Sequence, residues 1–403
     1  MFGPTSSGRG QRRSWIAAGV VLCLAALAGC GATPRPVQDQ TTAAVVAGAG
    51  QTEPRSAVPW RLIGPGWALA DDFATPAAAS KILSGSVILY LVDPQGGRYR
   101  LFSWPVKGAG PYGDLIDWSG DARRALFASL PTSNRTRELV EQLNLRTGKS
   151  NGFRLPANSF AVGYTRPDGK GILVEGYSAS MTGKEPLIRY SLGGRRQKVI
   201  WRAPGIDSDV LSSPDGGELV ADSYGSMALL RNAGGVIRHL YSPQLCGPVR
   251  WWNSATILAS CAPHDSGASR MWLIPLSGAK GTPLTPQRRD AKARDQGDDD
   301  LFRLTSGTYL SAIGRRCGDG IVVREEPNGK VRAYTIPGAP DATIVAATAT
   351  QLLLKEDRGC SDPFPTKLAW YDPVSRKQTI VVSPSRKDLG VLAVIPNYQA
   401  GKF

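Results

Sequence analysis

A short apolar stretch, a tight turn of Pro, Ser, Asp and Gly, and a second apolar stretch recur along the chain from Trp60 onward. The turn reads Trp118-Ser119-Gly120-Asp121 before Ala125-Leu126-Phe127. It returns as Arg166-Pro167-Asp168-Gly169 before Gly171-Ile172-Leu173-Val174, and as Ser213-Pro214-Asp215-Gly216 before Glu218-Leu219-Val220. Proline presets φ, and Asp-Gly supplies residues that tolerate φ > 0. Gly64-Pro65-Gly66, Asn253-Ser254-Ala255 and Thr305-Ser306-Gly307 are weaker copies. After a longer polar loop each unit has a second hairpin turn, as in Pro94-Gln95-Gly96-Gly97, Arg146-Thr147-Gly148-Lys149, Asn232-Ala233-Gly234 and Pro373-Val374-Ser375. Units begin near residues 60, 113, 159, 206, 248, 299 and 342, a mean spacing of 47. Gly (46) and Pro (30) among 403 residues exceed the usual roughly 7% and 5%, which favours many turns and short strands over long helices.

A period of about 40–50 residues with four short strands per unit is the pattern of propeller blades. The expectation is an all-β β-propeller over 60–403, with seven four-stranded blades. Six or eight blades are the alternative counts, and a β-sandwich array is the alternative fold. A single four-stranded sheet exposes pairing edges and cannot stand alone, so neighbouring sheets must cover one another. Val391-Leu392-Ala393-Val394-Ile395 lies beyond the seventh unit and is expected to join the first blade and close the ring. The Trp-Ser-x-Asp and Arg-Pro-Asp-Gly-Lys turns before an apolar strand resemble the blades of TolB-like β-propellers. That resemblance implies the fold and partner binding in an envelope complex. It carries over no catalytic residue. Arg outnumbers Lys, 34 to 14, as in a GC-rich genome of actinobacterial type.

The start of the chain reads as an address. Arg9, Arg12 and Arg13 precede an apolar run from Trp15 to about Ala28, too short for a stable membrane span. The run ends in Leu27-Ala28-Gly29-Cys30, which resembles the bacterial lipobox. Residues 1–29 are therefore expected to be a lipoprotein signal peptide, with Cys30 lipidated; two acyl chains hold stably where one does not. Export by the Sec route, or by the twin-arginine route that Arg12-Arg13 loosely matches, places the body at the outer face of the cytoplasmic membrane. Residues 30–59 lack aromatics and are rich in Ala, Thr, Gln and Pro, and read as a flexible linker.

Within a blade, call the strands a to d. Antiparallel order puts the a–b and c–d turns on one face and the b–c loops and d–a connections on the other. The first set is minimal. The second holds the long segments, including Asp71 to Ser84, Ser129 to Glu138, Cys261 to Arg270, Glu356 to Thr366 and Thr285 to Asp300. Long irregular connections tend to carry function, so the long-loop face is the expected binding surface. Cys246 and Cys261 flank one hairpin, and Cys317 and Cys360 each follow strand b of adjacent units, 43 residues apart. In an exported chain this favours bridges 246–261 and 317–360, and the spacing does not suit a four-cysteine metal site.

Candidate chemistry is sparse. Only two histidines occur, His239 and His264, and there is no Gly-x-Ser-x-Gly elbow and no phosphate-binding Gly loop. Asp298-Asp299-Asp300 lacks the alternation of a calcium loop and reads as a solvated charged segment. The chain is accordingly expected not to be an enzyme, and to need no cofactor and no metal. The formal net charge is +15, and basic residues fall in the long loops. The candidate binding-face residues are Arg135, Arg137, Lys184, His264, Asp265, Arg270, Arg315, Arg316 and Arg358. Such a face attracts anionic lipid head groups or acidic wall polymers, and nucleic acid is not expected outside the membrane. The function expected is that of a monomeric, membrane-anchored scaffold for an envelope protein partner or an anionic wall or lipid polymer. The alternative is a small-ligand or polysaccharide-binding propeller, with a propeller hydrolase or lyase third.

Overall fold

The computed structural model describes residues 47–396, save 75–85, 106–112, 130–136, 168, 177–183, 205, 225, 244, 264–267, 287–294, 315–319, 327–328, 340, 357–365 and 384–389. The expected signal peptide (residues 1–29), Cys30, Cys317 and Cys360 lie outside these residues. The body from Val45 onward forms one compact unit. It is a seven-bladed β-propeller whose innermost strands are Gly390–Pro396, Asp114–Trp118, Ser159–Tyr164, Ile206–Ser212, Leu245–Asn253, Asp295–Leu304 and Ala342–Ala347. In blades 2 to 7 the four strands follow in chain order from the inside outward.

Burial follows position in the blade. Strands b and c are covered by blades on both sides, so they read as continuous apolar runs. All six residues of Gly171–Gly176 are buried, as are the last five of Glu218–Ser223. Outer strands are short or charged. Thr282–Pro283 has two residues, and Arg196, Lys198 and Arg202 stand exposed along Arg196–Pro204. Short, charged or proline-bearing outer strands guard the edges against pairing with other chains.

The recurrent a–b turns explain themselves at the inner end of the blades. The turns of blades 2, 3 and 4 nest one on the next. A Cβ on Gly216 would stand 1.8 Å from Arg166 O, and one on Gly120 would stand 2.1 Å from Pro167 O. Gly216 also has φ +72, so glycine is demanded twice. Asp117 ties blade 2 to blade 3. Its Oδ2 accepts the Tyr164 N–H at 2.6 Å, and its Oδ1 accepts Arg166 Nη2 at 2.8 Å. The resulting ion pair is largely shielded from water.

Closure takes the expected route. Gly390–Pro396 supplies strand a of the first blade, pairing antiparallel with Ala68–Ala74, with Ser86–Val92 and Arg98–Pro105 outside it. Trp370 Nε1 donates to Asp93 O at 3.0 Å, joining blade 7 to blade 1, and Arg98 donates to Val381 O across the same seam. The first blade has a fifth strand that the sequence reading assigns to the linker. Thr52–Pro54 runs parallel to Arg98–Arg100, Arg98 Nε donates to Thr52 Oγ1 at 2.6 Å, and the Ala47 N–H donates to the Tyr99 hydroxyl at 2.8 Å. Ala47 and Val58 are buried, 4% and 6% exposed. The body thus begins at or before Ala47 rather than at Trp60. A strand held by backbone pairing and one tyrosine hydroxyl leaves no apolar pattern in the sequence.

Candidate functional site

The long-loop face is formed where strands a begin, strands b end and strands c begin. Much of its b–c loops outside blade 4, and with them Arg135, His264, Asp265, Arg315, Arg316 and Arg358, lies outside the described residues. Arg137 and Lys184 are exposed at this face in blades 2 and 3. Arg270, in blade 5, is half-buried with its guanidinium 4.6 Å from the centre of the Trp272 ring. These three expected residues sit in three different blades. His239 is exposed on the outermost strand of blade 4.

Beneath the loops lies a tier of buried carboxylates. Asp71 is 2% exposed, and its Oδ1 accepts the Ala393 N–H of the closing strand. Burial pushes its carboxyl up to about 7, the Ala393 N–H opposes this, the nearby Asp114 charge adds to it, and Lys355 opposes it. Glu138 is 4% exposed and accepts the Ala161 N–H of blade 3 at 2.7 Å. Burial raises it to about 7 as well. Glu356 pairs with Lys367 at 2.9 Å, whose ammonium also donates to Gln378 Oε1 at 2.8 Å.

The Asp298–Asp300 run corrects the expectation of a solvated segment. It belongs to the inner strand of blade 6, and Asp298 is fully buried. Thr285 Oγ1 donates to Asp298 Oδ2 at 2.6 Å, while Ser260 Oγ and Ser269 Oγ donate to its carbonyl at 2.7 and 2.9 Å. Asp300 pairs with the buried Arg250 of blade 5, and burial still raises its carboxyl to about 6 against the pull of Arg250. Hydroxyls and a guanidinium from the neighbouring blade make burial tolerable. Asp298 and Asp300 thus join blade 6 to blade 5. Among the described residues no group of three or more His, Cys, Asp and Glu is placed to hold a metal ion.

The Cys246–Cys261 bridge forms as expected. The two residues are direct partners across the antiparallel pair, with Cα atoms 4.0 Å apart. The bridge lies in the apolar cluster that also holds Met227, Leu240 and Trp251. On the same long-loop face two large apolar side chains are exposed. Tyr224, in the b–c turn of blade 4, is 52% exposed, and Leu245, the first residue of blade 5, is 41% exposed. Tyr224 has φ 47, the left-handed region that costs a side-chain-bearing residue about 1–2 kcal/mol. An aromatic in that conformation is unusual. The sequence reading passed over both residues, and the one signal available was a bulky residue before Gly225 in an otherwise minimal turn.

No protein-family model and no curated protein sequence matches the chain. Solved structures of similar shape include a prolyl endopeptidase, 14% identical over 77% of this chain and 49% of that one, with a TM-score of 0.53. Another is prolyl oligopeptidase B from Galerina marginata, 14% identical over 79% and 52%, with a TM-score of 0.50. A candidate TolB from Agrobacterium tumefaciens is 16% identical over 63% and 90%, with a TM-score of 0.41. The chain spans about half the length of the two peptidases it matches, and likeness at this identity shows the propeller fold alone. It nevertheless corrects the expectation of a non-enzyme. That expectation rested on the sparse catalytic motifs, and both peptidase chains contain a region of this shape.

Proposed function

We propose that the chain is a lipid-anchored, extracytoplasmic propeller that holds an envelope protein partner on its long-loop face. Leu27-Ala28-Gly29-Cys30 supports the anchor, and the outer face of the cytoplasmic membrane is where such an anchor would hold the body. The carrying observation is Tyr224. A tyrosine half in water, in a backbone conformation that costs free energy, shares the long-loop face with the exposed Leu245, which adjoins the Cys246–Cys261 bridge in sequence. Tyr is over-represented among residues that dominate binding energy, and a rigid base keeps such an anchor pre-organised.

The test is site-specific photo-crosslinking in the native cell, with the crosslinker at 224 and, as control, at the exposed Gln197 on the rim of blade 3. A discrete adduct from 224 that Leu245→Asp abolishes is expected. Equal adducts from 224 and 197, or an adduct insensitive to Leu245→Asp, refutes the reading.

A further inference from the structure

The exposed cations that the structure does describe gather on the opposite face. The c–d turns of blades 2 to 7 each present at least one: Arg146, Arg195, Arg231, Lys280, Lys330 and Arg376, all exposed. Three of these turns carry a second. Several described acids of this face are engaged within their own turns. Asp372 accepts the Val374 N–H at 2.8 Å and the Ser375 hydroxyl at 2.7 Å, and Glu326 pairs with Arg332 at 3.3 Å. Asp121 and Asp215 each accept a serine hydroxyl at 2.6 Å in the a–b turns. Apolar tips stand among the cations. Val374 is 77% exposed beside Arg376, and Leu62 is 50% exposed beside Arg61.

The remaining c–d turn, Pro94 to Gly97 of blade 1, carries no cation. It is where the chain enters the body: Gly50 N–H donates to Gly96 O at 2.9 Å, and a Cβ on Gly97 would lie 2.5 Å from the Ala47 side chain. Sixteen residues separate Cys30 from Ala47, and a chain of that length spans at most about 60 Å.

We infer that the tight-turn face is a docking surface for an anionic phospholipid bilayer, so that the long-loop face points away from the membrane. Charge complementarity selects the occupant. Each Lys or Arg held near an anionic lipid surface strengthens binding about fivefold, and the contribution is screened by salt. The exposed Val374 and Leu62 add shallow apolar contacts of the kind a bilayer interface accepts. The entry point of the chain lies on this same face and accords with that orientation. That part rests on the anchor proposed above, whereas the cation ring does not.

The test uses the full-length protein on vesicles of phosphatidylglycerol and phosphatidylcholine, and on vesicles of phosphatidylcholine alone, footprinted with an amine-acylating reagent. Lys149, Lys280, Lys330 and Lys377 are expected to lose reactivity on the anionic vesicles and regain it as salt rises, while Lys184 on the other face stays unchanged. Arg195→Gln with Lys377→Gln is expected to weaken partitioning about 25-fold. The matched pair Arg137→Gln with Lys184→Gln should change it little. Uniform reactivity, protection of Lys184 instead, equal loss in both double variants, or protection by a soluble anionic polymer but not by the vesicles overturns the inference. The intact mass of the protein from cells reports Cys30 lipidation separately, so failure of the anchor and failure of the face are distinguishable.

Discussion

Asp71→Asn should stabilise the protein at neutral pH and leave it almost unchanged in acid. Asp71 sits in an apolar strand, 2% exposed, with the Ala393 N–H as its backbone partner. Its carboxyl is raised from 3.8 to about 7. Below pH 3.8 the group is protonated folded and unfolded, and it contributes nothing to pH dependence. Between 3.8 and 7 the unfolded chain ionises while the folded chain stays protonated, so stability falls as pH rises. Above 7 the loss is complete. At about 1.36 kcal/mol per unit the total is about 4 kcal/mol. Asparagine keeps an oxygen for the Ala393 N–H and never ionises, so it removes that loss. An unfolding entropy of about 2.1 cal/mol/K per residue over the body turns this into a rise in Tm of about 5 °C at pH 8. At pH 4 the same bookkeeping leaves about 1 °C. Melting curves of the wild type and Asp71→Asn at both pH values decide it. A variant that melts lower at pH 8, or a shift equal at both pH values, refutes the reasoning.

Glu138→Gln should behave likewise but less strongly, by about 3 kcal/mol above pH 7, because Glu138 rises from 4.5 to about 7; urea unfolding at pH 5 and pH 8 measures it. Gly216→Ala places a Cβ 1.8 Å from Arg166 O at φ +72, whereas Gly329→Ala has φ +74 and nothing within 4 Å. The second should cost about 1 kcal/mol and the first several, read as Tm and soluble yield. Replacing Cys246 and Cys261 together by alanine opens a loop with sequence separation 15 and should cost about 3 kcal/mol. Chemical unfolding under non-reducing conditions reads that loss, and an unchanged midpoint would mean the bridge contributes nothing.

What the sequence made legible was whatever repeats or pairs locally. Ser213-Pro214-Asp215-Gly216 announces its turn because φ preferences are written in the turn itself. Cys246 and Cys261 could be matched because a hairpin fixes its own register. Closure by Val391–Ile395 could be inferred because an apolar strand left over after seven units has one vacant place to go. What stayed hidden depends on the adjacent blade. Asp298 looks like a solvated acid until Thr285 and two serines of blade 5 surround it. Thr52–Pro54 looks like linker until the outer edge of blade 1 accepts it.

The cations of the tight-turn face stayed hidden for a related reason. Counting cations in long loops overlooks that a propeller has two faces and that every hairpin tip contributes to the second. One or two cations per c–d turn are too few to register as a basic cluster in the sequence. Repetition of the blade stacks them into a ring, with the chain entering at the seventh position. A surface feature of this kind is a property of the repeat and its closure together. It becomes visible only when Arg146, Arg195 and Arg376, distant in sequence, are brought to the same face.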